Sequence, residues 1–527
     1  MKISTMSEEG PKPLYWLPIL LTSIAALGIW VGSAFFGEPN NDSKELQKLQ
    51  QIFQVLDQQY VDKINTEEIF EQTISEMLHK LDPHSNYISA KNLKLLDEQT
   101  NAAFGGIGVR FLLFRDTICV THVNALSPAF LGGLKRGDRI VAIDGKAATG
   151  QSISNEKVMA RLKGAPNTEV KVTIFRKGKK LQKTLVRNTI PIATVPSYYM
   201  INKETGYIQI SQFSLPTAQE FHTAALQLQA KGMKKLLLDL RGNGGGTMDA
   251  AIQIADEFLP NGQLILSSKG FHSKEQKYRA TAAGILEQTK TVVLIDAQSA
   301  SASEILAGAL QDNDRAKIVG RRSYGKGLIQ QDKRLKDGSN IRITIARYYT
   351  PSGRSIQRPY EKGYEAYKED EQKALTDEYF KPDSSIFVDS LKYKTRNGRT
   401  VYGGGGIMPD VFIAGDTSGT SLYLSELQWN GVFNAFAFDY LNQNNITLKL
   451  QDYLTDFEVN EQLLSKFTAF ASTEFKVRFQ RNEYLHSKEN IKRLLKAEIA
   501  RHLYLENGYY QVVNTHDTDI QRALKSF

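Results

Sequence analysis

The chain has 527 residues, which at about 100 to 200 residues per domain predicts several domains, and its single cysteine, Cys119, excludes an intrachain disulfide and a cysteine-based zinc cluster. Hydrophobic residues make up 41% and charged residues 23%, which excludes a wholly disordered chain and a multi-span membrane protein. The net charge of +9 comes from lysines and arginines scattered along the sequence, so the charge does not predict a nucleic-acid-binding face.

The first element in chain order is an uncharged apolar run at residues 14–36. Its 23 residues, at about 1.5 Å per residue, are enough to cross a hydrocarbon core of roughly 30 Å. A cleaved secretory signal is the alternative, but no clean small-residue cleavage site is present. We therefore predict an uncleaved transmembrane anchor, with the short segment 1–13 in the cytoplasm and the remainder exported.

A polar linker at residues 37–43 is predicted to separate this anchor from a helical region at residues 44–103. Apolar residues recur there at three- and four-residue steps, first from Leu46 to Tyr60 and then from Ile69 to Leu81. These steps predict two amphipathic helices that bury one face each, and Asp82-Pro83 ends the second helix.

In residues 104–190 the apolar side chains recur at every second position, and this alternation predicts a small β-rich domain. A glycine-rich segment near its start could direct several backbone N–H groups toward one anion, such as a peptide carboxylate. The candidate carboxylate-binding residues are Gly105, Gly106, Ile107 and Gly108. Hairpin turns are the alternative use of these glycines, but their combination with Ser127-Pro128-Ala129 and Gly137-Asp138 resembles PDZ domains of bacterial proteases.

Strands alternate with helical segments within residues 191–414, which predicts an α/β core. A glycine loop, Arg241 to Thr247, follows one of the strands and offers bare backbone N–H groups. We predict that this loop supplies half of an oxyanion hole beside the N–H of Ala302. A dinucleotide-binding fingerprint is the alternative, but it would require glycine where Thr247 stands.

A serine-rich segment, residues 299–303, lies between an apolar strand and a helix rich in alanine and leucine. A serine at such a helix start has free N–H groups and the positive end of the helix dipole close by, which suits a nucleophile. The alternative is a capping box of Ser301 with Glu304, since serines cap helices far more often than they attack substrates.

Lys326 lies between two glycines, where the backbone can turn tightly and direct the amine inward. A lysine that acts as a general base must be neutral, so burial must lower its pKa from about 10.4 toward 7. Gln330, four residues on, could orient the amine without adding a charge. A surface turn or a phosphate ligand is the alternative for Lys326, but the G-x-x-x-x-G-K-[ST] pattern is absent.

Taken together, these segments resemble the C-terminal processing peptidases, also called tail-specific proteases, which are Ser/Lys endopeptidases with a PDZ domain. The resemblance covers about Leu46 to Ile413 and rests on motifs in family order: LDPHSNYI, the PDZ segments, DLRGNGGG, SASASE, GKGLIQ, YYTPSGRSIQRP and GGGGIMPD. It implies that Ser301 is the nucleophile, Lys326 the general base and Gln330 the residue that orients the lysine.

The resemblance further implies that Ala302, with Gly245 or Gly246, forms the oxyanion hole, and that the core is related to crotonase-like folds. None of the eight histidines lies in a motif with Ser301, and His84, in the LDPHSNYI motif, is predicted to be structural. Residues 415–527 follow the shared motifs and predict further helices, including Glu461 to Phe470, with no motif to which chemistry can be attached.

We therefore expect a multidomain α+β chain with an N-terminal transmembrane helix, a helical segment, a PDZ domain, an α/β protease core and a helical C-terminal extension. The predicted function is a serine endopeptidase of a bacterial inner membrane, with its catalytic part in the periplasm, that cleaves C-terminal tails of exported proteins. No metal, cofactor or nucleic acid is expected, and a homo-oligomer is left open. The alternatives are a non-catalytic PDZ scaffold and an acyl-CoA-type enzyme, for which the sequence has no nucleotide fingerprint.

Overall fold

The computed structural model describes residues 44–383, 388–444 and 446–527. The segment 1–13, the predicted anchor at 14–36 and the linker at 37–43 lie outside these ranges. Within them, no helix has both the length and the apolar character needed to cross a bilayer. The chain divides into two compact units, one up to Ile74 and one from Ser75 to Phe527.

The first unit contains α1 (Lys44–Gln59) and most of α2 (Thr66–His79). The rings of Phe53 and Phe70 meet edge to face with their centroids 5.5 Å apart, so the apolar stripes of the two helices touch. No residue of α1 is buried, however, which differs from the prediction that each helix buries one face. The reason is geometric, because a pair of helices covers only the strip that lies between them.

In the second unit, β1 (Asn86–Ile88) and α3 (Ala90–Asn101) lead into the β-rich domain. The elements of this domain in chain order are β2 (Ala103–Gly106), β3 (Val109–Phe114), β4 (Thr117–Val123), α4 (Pro128–Leu131), β5 (Arg139–Ile143), β6 (Lys146–Ala147), α5 (Asn155–Leu162), β7 (Glu169–Arg176), β8 (Lys179–Val186) and β9 (Asn188–Pro191). Strands β3, β4, β5, β7 and β8 form one sheet in that order, with β3 at its edge, while β2 pairs with β9. Alternate residues of β7 are fully buried, as a period of two requires: Val170, Val172 and Ile174.

The α/β core follows. Its elements in chain order are β10 (Ser197–Met200), β11 (Thr205–Gln209), α6 (Thr217–Ala230), β12 (Lys235–Asp239), α7 (Met248–Asp256), β13 (Leu264–Lys269), β14 (Gln276–Arg279), β15 (Lys290–Ile295), α8 (Ala302–Asp312), β16 (Ala316–Gly320), β17 (Leu328–Arg334), β18 (Asn340–Tyr349), α9 (Tyr364–Thr376), a short 3-10 helix (Asp389–Leu391), β19 (Lys392–Lys394), β20 (Thr400–Tyr402) and β21 (Val411–Phe412). The main sheet has the order β10-β11-β12-β15-β16-β21, and its strands from β11 onward are parallel. Since parallel strands end at one edge of a sheet, the loops after β12, β15 and β16 come together there.

A second sheet lies in the same core and is built around β18. Its order is β1-β18-β13-β14, and β17 pairs with β18 along the other side. In the β17–β18 pairing, Gln330 lies opposite Thr344. The segment after α2 is therefore brought, through β1, to the strand beside Gln330.

The residues after the core form a helical extension. Its helices are α10 (Leu422–Trp429), α11 (Val432–Gln443), α12 (Leu450–Asp456), α13 (Glu461–Phe475), α14 (Arg481–Asn514) and α15 (Thr518–Leu524). Helix α14 is interrupted at Leu505, where φ is 59° and ψ is −158°. The extension has a buried core of its own, which includes Leu427, Phe467 and Leu495.

The extension also contacts both neighbouring domains. Buried side chains from β3 and β4 of the β-rich domain and from α11 of the extension form what we call the interdomain patch, which consists of Leu112, Phe114, Cys119, Ala435 and Phe438. Beside it, Arg115 donates to Glu474 at 2.6 Å. On the core side, Asp519 of α15 accepts hydrogen bonds from Arg321 at 2.7 Å and from Arg241 at 3.1 Å.

Candidate active site

Ser301 stands at the turn between β15 and α8. Its backbone has φ 55° and ψ −110°, and a non-glycine residue adopts such a conformation at a cost of about 1–3 kcal/mol. A strained strand-to-helix turn is also what exposes the nucleophilic serine of α/β-hydrolases. Ser301 accordingly stays partly exposed, although every residue of α8 is buried.

The other two serines of the segment are buried and anchor it to neighbouring backbone. Ser299 Oγ donates to the carbonyl of Leu240 at 2.8 Å, and Ser303 Oγ donates to the carbonyl of Asn243 at 2.9 Å. Both side chains are fully buried. Of the three serines, Ser301 is therefore the one that a substrate can reach.

Glu304 joins the serine turn to the loop that carries Lys326. One carboxylate oxygen accepts from the N–H groups of Ser301 and Lys326, each at 2.8 Å. The other accepts from Ser323 Oγ at 2.6 Å and from the N–H of Gly325 at 2.7 Å. Burial raises the pKa of Glu304, and these four donors oppose that shift. The predicted capping box is present, but its carboxylate also holds a loop from another strand.

Lys326 is partly buried, and its amine donates to Gln330 Oε1 at 2.6 Å. Burial, with a smaller contribution from the positive charge of Arg342, lowers the pKa of Lys326 to about 8. Over the ranges that the structure describes, no carboxylate oxygen lies within 4.0 Å of Lys326 Nζ. The amine is thus bound by a neutral partner, and an ion pair that would raise its pKa is avoided.

Ser301 and Lys326 lie on adjoining loops. Besides the links through Glu304, the N–H of Tyr324 donates to the carbonyl of Ser299 at 3.0 Å. Among the described residues, no hydrogen bond joins Ser301 Oγ directly to Lys326 Nζ. Catalytic hydrogen bonds are often long in a site without substrate and tighten when substrate binds.

Three residues contribute to this site although the sequence did not predict it: Glu304, His84 and Tyr348. The sequence predicts only a helix cap for Glu304 and only a structural role for His84. The carbonyl of His84 accepts a hydrogen bond from Gln330 Nε2, and Tyr348 Oη donates to the carbonyl of Ser301 at 3.4 Å. His84 and Tyr348 both stand in motifs that carry the family resemblance, which was the available signal, but a motif does not tell which strand it will meet.

The glycine loop after β12 packs directly against Ser301. A Cβ on Gly245 would lie 2.8 Å from Ser301 Cβ and 3.0 Å from the nitrogen of Ala302, so only glycine fits there. The N–H of Gly245 donates to Asn243 Oδ1 at 2.9 Å, which argues against the prediction of Gly245 as a free oxyanion donor. In the described part of the chain, the N–H groups of Ala302 and Gly246 have no acceptor, and they are the candidate donors.

The predicted carboxylate-binding loop is shorter than expected. Gly105 and Gly106 belong to β2, where they pair with β9, and strand N–H groups point alternately to either side instead of converging. Ile107 and Gly108 form the connection between β2 and β3, and Gly108 has φ 76°, which glycine adopts without strain. Of the four residues predicted to bind a carboxylate, two lie in the paired strand and two, Ile107 and Gly108, lie in the connection, where the backbone is free of strand pairing.

Family models match four parts of the chain. Residues 35–92 match the N-terminal domain of the activating protease CtpB, and residues 105–185 match a PDZ domain. Residues 204–364, which include Ser301 and Lys326, match peptidase family S41. Residues 423–505, within the helical extension, match a family of unknown function.

Individual relatives extend these matches. The carboxy-terminal-processing protease of Bartonella bacilliformis is 35% identical over 339 residues, which are 63% of this chain and 77% of that protein. A "Probable CtpA-like serine protease" of Staphylococcus saprophyticus is 30% identical over 64% of this chain and 69% of its own length. Among solved structures, the photosystem II D1 C-terminal processing protease aligns at 25% identity with a TM-score of 0.36, over 71% of this chain and 94% of that one. Given the identity and coverage of these relatives, the chain belongs to the carboxy-terminal-processing proteases of peptidase family S41, which are serine-type peptidases.

Proposed function

We propose that the protein is a membrane-anchored endopeptidase that cleaves the C-terminal tails of exported proteins, with Ser301 as nucleophile and Lys326 as general base. The observation that carries the proposed catalytic pair is the double role of Glu304, which holds the strained Ser301 turn and the Lys326 loop with the same carboxylate. The amine of that loop has a pKa lowered to about 8 and a neutral acceptor in Gln330.

In the proposed reaction, Ser301 Oγ attacks the carbonyl carbon of the scissile peptide bond while the Lys326 amine takes the hydroxyl proton. The N–H groups of Ala302 and Gly246 stabilise the oxyanion that forms. Lys326 then gives its proton to the leaving amine, and the peptide bond breaks to leave an acyl group on Ser301. The same amine then takes a proton from a water molecule, which attacks the acyl carbonyl. The ester bond breaks, the amine returns the proton to Ser301 Oγ, and the product leaves as a carboxylic acid.

The PDZ domain would bind the free carboxyl end of the substrate. Strand β3 is at the edge of its sheet and follows the Ile107–Gly108 connection. An extended peptide can pair with an edge strand through main-chain hydrogen bonds, which makes the chemistry of its end the basis of recognition. The substrate class is therefore a protein or peptide with a free, accessible carboxyl terminus.

The test compares the full chain in detergent micelles with Ser301→Ala and Lys326→Ala on a peptide that ends in apolar residues. We expect each substitution to lower kcat by about 10³-fold or more, because each removes a group that acts in the transition state. Mass spectrometry of the products gives the rate and the bond that is cut. Ser303→Ala, which removes a buried hydroxyl from the same segment, is the matched control and should retain activity.

Equal cleavage by the wild type and Lys326→Ala would refute the proposed pair. The alternative function, a PDZ scaffold without catalysis, predicts peptide binding that is unaffected by Ser301→Ala and no product at any pH. The same peptide with an amidated end distinguishes recognition from chemistry, since a carboxylate-binding domain should bind it more weakly than the free acid.

The anchor at residues 14–36 is a proposal that rests on sequence, because its 23 residues carry no charge. With the short amino-terminal segment in the cytoplasm, the catalytic part would face the periplasm across a bacterial inner membrane. We expect the full chain to stay with membranes after a carbonate wash and a chain lacking residues 14–36 to be released. A protease added to spheroplasts should digest the exported part, and full protection of that part would reverse the proposed orientation.

A further inference from the structure

The segment that follows α2 makes a compact turn at residues 82–85, which we call the DPHS turn. Asp82 Oδ1 accepts from the N–H groups of His84 and Ser85, each at 2.8 Å, and Asp82 Oδ2 accepts from Ser85 Oγ at 2.6 Å. Asp82 and Ser85 are both buried. One side chain therefore fixes the backbone of the two residues after Pro83.

The turn is attached to the strand beside Gln330. Ser85 Oγ accepts from the N–H of Thr344 at 3.1 Å, and Thr344 lies opposite Gln330 in the pairing of β17 with β18. Strand β1 begins at Asn86 and pairs with the same β18. The position of the turn is thus set by the sheet that carries Gln330.

The turn and Lys326 bind opposite ends of the Gln330 amide. Nε2 donates to the carbonyl of His84, and Oε1 accepts from Lys326 Nζ at 2.6 Å. An amide rotated by 180° would place its oxygen against the carbonyl of His84, which is a repulsive contact, and would turn its N–H₂ group toward the amine, where it would repel the protonated form and occupy the lone pair of the neutral form. The carbonyl of His84 therefore determines that an oxygen faces the lysine.

The imidazole of His84 adds no charge beside this contact at neutral pH. Burial, followed by the nearby positive charge of Lys326, lowers the pKa of His84 to about 3. Its Nε2 lies 3.1 Å from the hydroxyl of Tyr367 on α9, and the two rings meet edge to face. The ring adds no positive charge beside Lys326 at neutral pH, and it packs the turn against α9.

We propose that the DPHS turn is a positioning element of the active site: through the carbonyl of His84 it orients the Gln330 amide, which in turn orients the Lys326 amine toward Ser301. The inference rests on the proposed role of Lys326 as the general base. An amine that donates one hydrogen to a fixed oxygen has fewer directions left for its lone pair. The turn therefore acts on catalysis without touching the substrate.

The experiment compares Asp82→Asn with Asp82→Ala in the full chain in detergent micelles. Both variants remove the same negative charge, but asparagine keeps an oxygen for the N–H groups of His84 and Ser85. We expect kcat on the apolar-tailed peptide to fall about tenfold or more in Asp82→Ala, with KM unchanged, and to stay near the wild-type value in Asp82→Asn. In a Gln330→Ala background, Asp82→Ala should cause no further loss, because the residue through which it acts is already absent.

A second measurement does not depend on turnover. The rate at which acetic anhydride acetylates Lys326 at fixed pH, measured by peptide mass spectrometry, should rise in Gln330→Ala and should be several-fold higher in Asp82→Ala than in Asp82→Asn. Both Asp82 variants lose a negative charge that raises the pKa of Lys326, so the difference between them reports on the turn. Ser85→Ala is a milder variant that should show the same effect if Asp82→Ala does not fold. Asp97→Ala, an exposed carboxylate paired with Arg334 of the same β17, is the matched control and should change neither rate.

Equal values for Asp82→Asn and Asp82→Ala, or losses that simply add in the Gln330→Ala background, would overturn the inference. These outcomes are separable from failure of the proposed function. If the wild type does not cleave the peptide at all, the proposed function is wrong, whereas the acetylation series still decides whether the turn orients the amine.

Discussion

Gly245 packs against the Ser301 turn with no room for a side chain, which makes a prediction at the scale of one methyl group. In Gly245→Ala the new Cβ would lie 2.6 Å from the carbonyl oxygen of Ala300 and 2.8 Å from Ser301 Cβ, at a φ of 97° that alanine rarely adopts. We expect the Ser301 turn to shift and kcat to fall about 10²-fold while the protein stays folded. Peptide cleavage and circular dichroism measure the two effects.

The adjacent glycine supplies the control for that substitution. A Cβ on Gly244 meets nothing within 4 Å, and its φ lies outside the left-handed region. Gly244→Ala should therefore retain activity. If both variants lose activity alike, flexibility of the loop, and not its contact with Ser301, is what matters.

Gln330 makes a prediction about pH. In Gln330→Glu a carboxylate would face the amine, and the opposite charge favours the protonated lysine, so the pKa of Lys326 should rise above its value of about 8. In the proposed function Lys326 is the base and must be neutral, so kcat/KM should increase as pH rises through its pKa, and this increase should move to higher pH by about 1–3 units. Measuring kcat/KM as a function of pH for the wild type and Gln330→Glu tests this shift.

Gln331→Glu is the control for the pH profile, because Gln331 is the next residue on β17 and is exposed. It adds the same charge away from the amine and should leave the profile in place. An unchanged profile in Gln330→Glu would mean that Lys326 does not control the rate.

Single residues differed in how far the sequence could predict them. Lys326 and Gln330 were predictable because flanking glycines and the four-residue spacing are local, and the structure has the hydrogen bond that the spacing suggested. The contact of Glu304 with the Lys326 loop was not predictable. A capping box involves only four consecutive residues, whereas the N–H groups of Gly325 and Lys326 come from another loop. The carbonyl of His84 carries no sequence signal, since every residue has one.

Helix α8 carries Ala302 at its start and ends at Asp312, which forms a buried ion pair. Asp312 Oδ1 accepts from Arg354 Nη2 at 2.8 Å, and both side chains are fully buried. Removing one partner of a buried pair leaves the other charge uncompensated, so Arg354→Met should lower the free energy of unfolding by about 3–5 kcal/mol. Urea denaturation followed by circular dichroism measures the loss.

An exposed pair provides the comparison for this element. Arg334 and Asp97 lie 2.9 Å apart, but their side chains are 66% and 48% exposed, so Arg334→Met should cost no more than about 1 kcal/mol. If Arg354→Met lowered the free energy of unfolding as little as Arg334→Met, the charge of Arg354 would not matter, and its packing, which methionine largely keeps, would be what stabilises α8.

For helices and strands, the sequence predicted the type of element better than it predicted which other elements would pack against it. The strands and helices of the α/β core follow from alternation along the chain, and parallel pairing explains why three loops meet at one edge. The prediction placed Gly105 and Gly106 in a loop, whereas they lie in a strand, because β2 pairs with β9 across more than 80 residues of sequence. Helix α1 failed to bury a face because a periodic pattern shows which side is apolar, not what covers it.

At the scale of the whole molecule, the helical extension joins the PDZ domain to the core, and the interdomain patch is where this can be tested. Phe438 is buried against residues of β3 and β4, so Phe438→Ala should cost about 3–5 kcal/mol of local stability. Amide hydrogen exchange should accelerate in β3 and β4 and stay unchanged in β11 and β12. Trp429→Ala, in the same extension but 93% exposed, should have no effect.

Unchanged exchange in β3 would show that the patch does not stabilise the PDZ domain. No feature of the sequence predicted the patch, because its two sides lie more than 300 residues apart and neither contains a motif. In the sequence, the apolar residues of each side cannot be distinguished from residues of that domain's own core.

The interdomain patch also limits how this protein can be re-engineered. A chimera that exchanged residues 104–190 for the recognition module of another protease would expose the aromatic surface around Phe438 to water, unless the donor brought matching residues. Apolar surface uncovered in this way favours aggregation. Specificity transplants into this scaffold should therefore retain the side chains at positions 112, 114 and 119, and substitute only residues on the opposite face of the module.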